Sequence, residues 1–174
     1  PRLRIIQQNN QGQTNALITG MELSCGELIA RLDADDYSLP HRLIRQVEFM
    51  DTHPEVILCS SRFQELYDDK LVPQQVHFAQ TNSQIKNIIS RFNPFAHSAV
   101  MFRRNSYYKC GGYNNKYIIG MDYDLWVRMM DIGKVHNIEE TLTIIRMHDD
   151  SNSKTRARLK TLECIKIRFY AYSK

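Results

Sequence analysis

Apolar residues recur along this chain in short runs and in stripes at helical spacing, separated by polar turns. The apolar runs predict strands at 3–7, 28–32, 56–59, 96–102 and 141–147. Helical spacing predicts helices at 13–24, 39–53, 82–91 and 122–131, with a last one in the tail beyond 153. Residues 67–70 are typical of a hairpin turn. Strands that alternate with helices predict an α/β fold.

The helix at 39–53 illustrates how its faces are assigned. Ser38 is predicted to cap it, with Pro40 in its first turn. The predicted buried stripe contains Leu39, Leu43, Val47 and Met50. The residues expected to face water are His41, Arg42, Arg45 and Glu48.

Composition supports one globular domain. The chain has 174 residues, 43% of them hydrophobic, and no apolar run approaches the ~20 residues that cross a bilayer. No signal peptide is visible, and the start at Pro1 looks internal to a larger protein. The four cysteines, Cys25, Cys59, Cys110 and Cys164, are widely spaced, which predicts buried, reduced thiols in a cytosolic protein.

Charge is uneven along the chain. The net charge is +4, but residues 154–174 contain seven basic residues and one acid, Glu163. This basic tail is predicted to be a helix whose apolar side contains Leu159, Leu162, Ile165 and Phe169. Such a helix can contact an anionic membrane surface, and the alternative is a solvated face on a packed terminal helix. Aromatic and basic residues are not interleaved here, so no nucleic-acid partner is expected.

Three carboxylates follow the predicted strand at 28–32. If the strand continued, Asp33 and Asp35 would point to one side and Asp36 to the other, because side chains alternate along a strand. Converging carboxylates repel each other unless a cation lies between them. Mg²⁺ or Mn²⁺ suits such oxygen ligands and usually also binds substrate phosphates. The alternative is a solvated acidic turn.

Two later segments offer further candidate chemistry. Asp122 and Asp124 lie in the first turn of a predicted helix, where the dipole favours a carboxylate that can accept a proton; charge compensation of the helix end is the alternative. Arg146 and His148 close a predicted strand and project to one side of it. They could reach a metal and a diphosphate, or His148 could be an ordinary surface residue.

In this order, the motifs resemble those of family 2 glycosyltransferases, especially bacterial enzymes that assemble surface polysaccharides. The resemblance covers residues 3 to about 153. The matching segments are NNQG (9–12), GELIARLDADD (26–36), LPHRL (39–43) with Gln46 and Val47, Asn93-Pro94 with His97, 100–103, GGY (111–113), DYDLWVR (122–128), and Arg146 with His148.

The resemblance implies a GT-A fold, a Rossmann-like mixed sheet flanked by helices, in a domain at 1–153 followed by the basic helix at 154–174. It implies inverting transfer of a sugar from a nucleotide-diphosphate donor to an acceptor hydroxyl. Asp122 would be the catalytic base. Asp33, Asp35 and His148 would hold Mg²⁺ or Mn²⁺. The residues expected to bind substrate are Gly12, Asp33, Asp36, Asp124 and Arg146.

The sequence also departs from the family pattern. The family's opening strand and its Asp-Asp-Gly-Ser loop have no counterpart, so the chain is expected to be amino-terminally truncated. Met121 replaces the Glu that precedes the catalytic Asp. A catalytically inactive GT-A module for binding or assembly is therefore the alternative. The resemblance further implies a carbohydrate or lipid-linked acceptor, and a cytoplasmic location at the inner face of the membrane.

Overall fold

Six strands form one mixed sheet in the computed structural model, which describes residues 3–73, 78–148 and 155–173. The strands are β1 (Leu28–Ala30), β2 (Tyr37–Ser38), β3 (Val56–Tyr67), β4 (Lys70–Pro73), β5 (Met101–Arg103) and β6 (Lys134–Arg146). Their order is β1-β5-β3-β6-β2, with β4 paired to β3. The β3–β6 pair is parallel and the other pairs are antiparallel. The predicted α/β class is confirmed.

Helices cover this sheet. They are α1 (Gln13–Leu23), α2 (Arg42–Thr52), α3 (Asn82–Ile89), α4 (Arg104–Lys109), α5 (Met121–Met129) and α6 (Ala157–Tyr172), with a 3-10 turn at His97–Ala99. A capping box between Thr81 and Gln84 starts α3. None of the helices in these ranges is both long and apolar enough to cross a bilayer.

The two long strands and α5 form the centre of the fold. Residues 56–61 of β3 are buried throughout, because β3 has β5 on one side and β6 on the other. Leu125 and Trp126 of α5 have no exposed surface and pack with Phe102 of β5. Helical spacing predicts Leu125, Trp126, Met129 and Met130 as the packing side of the 122–131 helix, and all four are buried. At the predicted hairpin, Asp68 and Asp69 have φ angles of 42° and 61°, the left-handed conformation that tight hairpins require.

Two predicted strands differ from the observed structure. Residues 3–7 form no strand, and Leu3 and Ile5 are mostly exposed, since no described strand pairs with this segment. The predicted strand at 96–102 is divided into the 3-10 turn and the short β5. This division places His97 and Ser98 on irregular backbone beside the end of β1.

The predicted buried stripe of the 39–53 helix is confirmed for Met50 and wrong for Leu43 and Val47, which are exposed. Arg42, Gln46 and Met50 are the buried residues of α2, whereas Leu43 is 54% exposed. The helix begins at Arg42, and His41 is the residue at its N-cap position. Ser38 lies in β2 and therefore does not cap the helix. Arg42 is turned inward because its guanidinium binds backbone carbonyls, as described below.

The predicted apolar side of the tail helix does not pack against the rest of the fold. Glu163 and Ile167 are the buried residues of α6, whereas Leu162, Ile165 and Phe169 are exposed. Position 154 is outside the described ranges, and the domain boundary there stays a prediction. All four cysteines are free, but Cys25 is exposed, contrary to the prediction that all are buried.

Candidate functional site

The acidic run forms a turn beyond β1. The strand ends at Ala30, and the amide of Asp36 donates to the carbonyl of Asp33 at 3.2 Å. The strand-like alternation predicted for Asp33, Asp35 and Asp36 is therefore wrong, because the backbone turns before the side chains can alternate. The charges of Asp33 and Asp35 instead both act on Asp36 and contribute to raising its pKa.

Asp33 is bound on both sides of its carboxylate. The Arg31 guanidinium donates to Oδ1, and the Ser98 hydroxyl donates to Oδ2 at 3.1 Å. Burial alone would raise the pKa of Asp33, but the hydrogen bond and charge of Arg31, helped by His97 and Ser98, outweigh it and lower the pKa. Asp33 is therefore held as an anion whose partners are already in place.

Asp36 connects the turn to the end of β6. Its Oδ1 accepts the backbone N–H of Arg146 at 2.9 Å. The Arg146 guanidinium donates to the hydroxyl of Tyr37, and its central carbon lies 5.5 Å from the centre of that ring. Burial, together with the neighbouring carboxylates, raises the pKa of Asp36 despite the hydrogen bond from the Arg146 backbone. The structure thus brings the predicted Arg146 to the acidic turn.

Asp35 and His148 meet at the exposed rim of the turn. Asp35 Oδ2 lies 3.0 Å from His148 Nε2, and both side chains are nearly half exposed. Carboxylate oxygen and imidazole nitrogen are both suitable ligands for Mn²⁺. Within the described residues, however, no group of three or more His, Cys, Asp or Glu side chains is arranged to hold a metal ion.

Asp122 lies at the start of α5, away from the turn. Its Oδ2 accepts the side-chain amide of Asn93 at 2.9 Å, and its Oδ1 accepts the backbone N–H of Tyr123 at 2.7 Å. Burial raises the pKa of Asp122 to about 6, although both hydrogen bonds favour the ionised form. A carboxylate with this pKa can accept a proton near neutral pH.

A pair of polar side chains, His97 and Tyr113, lies within electrostatic reach of the two carboxylate regions. His97 Nε2 lies 2.8 Å from the hydroxyl of Tyr113. Burial lowers the pKa of His97 to about 3, so its ring is neutral, and burial also raises the pKa of Tyr113. The charge of Arg31 acts on Asp33, His97, Tyr113 and Asp122 alike. Arg31 therefore lies within electrostatic reach of both regions.

Two predicted substrate-binding residues have other partners. Asp124 is buried and accepts hydrogen bonds from Arg128, whose guanidinium also donates to the carbonyls of Cys110 and Gly112. Gly12 precedes α1 with a φ of 86°, and its N–H binds the Asn10 side chain at 3.0 Å. In the described ranges no hydrogen bond joins either residue to the acidic turn, and their binding of substrate stays a prediction.

Sequence reasoning assigned no role to several side chains that make up this region. They are Arg31, Asn93, His97, Ser98 and Tyr113. All of these except Ser98 stood in matched motifs, which could have pointed to them. Ser98 carried no signal, because its role depends on the backbone turn that breaks the predicted strand.

Comparison with known proteins gives the family of this chain. The Glycosyl transferase family 2 model matches residues 1–113. The chain belongs to this family. The amylovoran biosynthesis glycosyltransferase AmsE of Erwinia amylovora is 31% identical over 157 residues, which cover 90% of this chain and 58% of that protein. An Escherichia coli protein named UDP-Gal:alpha-D-GlcNAc-diphosphoundecaprenol beta-1,3-galactosyltransferase is 29% identical over 170 residues, covering 95% and 60%.

Solved structures of glycosyltransferases share the fold. Residues 1–349 of S. aureus TarS in complex with UDP-GlcNAc superpose with a TM-score of 0.66 at 14% identity, covering 87% of this chain and 43% of that TarS chain. The mannosyltransferase PcManGT from Pyrobaculum calidifontis in complex with GDP-Man and Mn²⁺ gives 0.60 at 16% identity, covering 94% and 44%. The fold is therefore GT-A, as the sequence motifs implied. The chain spans just over half the length of the curated relatives described here.

Proposed function

We propose that this chain forms the donor-binding and catalytic region of an inverting glycosyltransferase. The reaction would transfer a sugar from a nucleotide-diphosphate donor to an acceptor hydroxyl during bacterial polysaccharide synthesis. The observation that carries the proposal is the pair of carboxylate regions linked by Arg31. One is a turn of charged groups suited to a diphosphate, and the other is a single partly buried carboxylate with a pKa of about 6.

In the proposed reaction, Asp122 takes the proton of the acceptor hydroxyl as its oxygen attacks the anomeric carbon. Asn93 holds one oxygen of Asp122, which fixes the direction in which the carboxylate accepts the proton. The bond to the nucleoside diphosphate breaks on the opposite face, so the anomeric configuration inverts. The guanidiniums of Arg31 and Arg146 are placed to counter negative charge on the departing diphosphate.

The acidic turn fits a divalent cation. Asp35 and His148 are in contact, half exposed and made of suitable donor atoms, and Asp33 is kept ionised. Two protein ligands are enough for Mg²⁺ or Mn²⁺ when substrate phosphates supply others. We infer that Asp35 and His148 would hold this ion together with the donor's phosphates, while Asp33, whose carboxylate already binds Arg31 and Ser98, would add negative charge nearby. When bound, it would supply positive charge that stabilises the leaving diphosphate.

The acceptor would be a carbohydrate or a lipid-linked sugar. The name of the E. coli relative describes a diphosphoundecaprenol-linked acceptor, and the name of AmsE describes a role in amylovoran biosynthesis. These names support a cytoplasmic site of action beside the inner face of a membrane. Contact of α6 with that membrane belongs to the same proposal.

Calorimetry on the protein as its gene encodes it tests this function. UDP- and GDP-linked sugars would be titrated into the protein, first in the presence of Mn²⁺ and then in the presence of EDTA. We expect at least one donor to bind in a metal-dependent manner, and NMR of the transferred sugar to show an inverted anomeric centre. Absence of binding by every donor would overturn the proposal and favour a catalytically inactive GT-A module.

A further inference from the structure

Glu163 is buried although it is the only acid in the basic tail. It is 5% exposed and lies on the inner face of α6. Neither the proposed donor site nor the proposed proton transfer uses it. A buried carboxylate is costly unless hydrogen bonds compensate for lost hydration, so its partners should explain why it is there.

Those partners are three consecutive backbone amides. Oε1 accepts the N–H of Ile118 at 2.9 Å, and Oε2 accepts those of Ile119 and Gly120 at 2.9 and 2.8 Å. Gly120 is the residue from which α5 begins, and no side chain of α5 itself caps that end. Glu163 therefore satisfies, from another helix, the amides of the loop that leads into α5, including that of Gly120 where the helix starts.

Close packing holds the same junction. A Cβ added to Gly120 would lie 2.9 Å from Cδ1 of Ile167, the other buried residue of α6. Arg168 also reaches Tyr123 of α5. Burial raises the pKa of Tyr123 to about 12, and the hydrogen bond and charge of Arg168 oppose this rise. The start of α5 cannot shift without moving α6. Asp122 is the second residue of α5, so its carboxylate shifts with that start.

We propose that Glu163 is a positioning residue for Asp122: by binding the amides of residues 118–120, it fixes where α5 begins and thus where the base meets the acceptor. This inference rests on the proposed role of Asp122. It makes α6 part of the catalytic framework as well as the source of the basic tail.

The first test replaces Glu163 by Gln in the protein as its gene encodes it. Gln keeps the volume, but its NH₂ group would face an amide donor. We expect kcat to fall about tenfold or more, since small misplacements of a reacting group are costly, with donor KM changed less than about twofold. The acid limb of the pH–rate profile should also move. The control is Glu22→Gln, at an exposed position on α1. A lower melting temperature with unchanged kcat and pH profile would overturn the proposal.

A second variant approaches the junction from the loop. Gly120→Ala places a methyl group against Ile167 and should reproduce the loss of kcat, whereas Gly20→Ala, whose Cβ meets nothing within 4 Å, should not. If Glu163→Gln fails to fold, Gly120→Ala decides the question with the same measurements.

A further readout is independent of turnover. Carbon NMR of the Asp122 carboxyl should show a titration midpoint closer to the ordinary range in Glu163→Gln, because a loosened junction admits water. An inactive wild type whose Asp122 nevertheless responds this way would overturn the proposed function and leave the positioning role intact. If the wild type is active and both Glu163→Gln and Gly120→Ala behave like it, the positioning role is overturned and the proposed function stays intact.

Discussion

The acidic turn and the start of α5 are both irregular segments that a buried charge from a neighbouring helix supports, but the charges are opposite. Behind the turn, the Arg42 guanidinium of α2 donates to the carbonyls of Arg31 and Val100 at 2.8 and 3.1 Å. Behind α5, the Glu163 carboxylate accepts three amides. One segment presents carbonyls inward and the other presents amides, and each receives a side chain that binds them.

The difference has a chemical consequence. The turn exposes Asp35 and His148 to solvent, where ions and phosphates arrive, and Arg31 keeps Asp33 ionised. The α5 start keeps Asp122 partly buried with a raised pKa and two hydrogen bonds. We infer that the acidic turn binds the cation and the diphosphate, and that Asp122 at the start of α5 accepts the proton. The predictions below separate these two roles.

Asp122→Asn should have the largest effect. It keeps the shape of the side chain but removes proton acceptance, so kcat should fall by about 10²–10⁴-fold. Donor affinity measured by calorimetry should change little, because the acidic turn is intact. The matched control is Asp51→Asn on the exposed side of α2. Nearly normal kcat in Asp122→Asn would remove its role as the base.

Asp35→Asn should affect the other region. Loss of one carboxylate beside His148 should weaken Mn²⁺-dependent donor binding by about 10–100-fold, the loss typical of even an outer partner of a metal ligand. Binding measured in EDTA should be the same as for the wild type. Equal Mn²⁺ dependence in both proteins would show that the cation, if any, is held elsewhere.

Arg42→Met should lower stability. The carbonyls of Arg31 and Val100 would lose charged donors inside the fold, so the free energy of unfolding should fall by about 2–4 kcal/mol in urea denaturation. Arg45→Met is the control, because Arg45 makes an exposed pair with Glu140 and should matter little. Equal stability of the two variants would mean that Arg42 does not support the turn.

Hydrophobic periodicity predicted the positions of the helices except the short α4, but not the buried faces of two of them. In α2 the inner face contains Arg42 and Gln46, and in α6 it contains Glu163. The Gln46 amide donates to the carbonyl of Ala99 at 2.9 Å, in the same manner as Arg42. Both helices are oriented by unpaired backbone groups of neighbouring loops, a demand that no local pattern in the helix reveals. By contrast, the buried residues of α5 are mostly apolar, and the packing side predicted for it was correct.

The residues of the candidate site could likewise be predicted only where their roles depend on local sequence. Asp122 and the acidic run were found from their positions beside predicted elements, because the chain order of the elements was right. Ser98 and Arg31 were not assigned, because their contacts with Asp33 arise where β1 ends early and the 96–102 segment leaves the sheet. The pairing of Asp35 with His148 joins residues 113 positions apart, and family motifs pointed to it while spacing could not.

The smallest predicted effect is a shift in the pH profile of Asn93→Leu. Turnover requires ionised Asp122, so activity should rise with pH through about 6 in the wild type. The Asn93 amide favours the ionised form, and removing it should raise the pKa of Asp122 and move the acid limb to higher pH. Well above that limb, kcat should recover much of its wild-type value. Asn87→Leu on the exposed side of α3 is the control, and its profile should match the wild type. A limb that moves to lower pH in Asn93→Leu would show that Asn93 acts chiefly by excluding water from Asp122, and would contradict its role as a hydrogen-bond donor to the base.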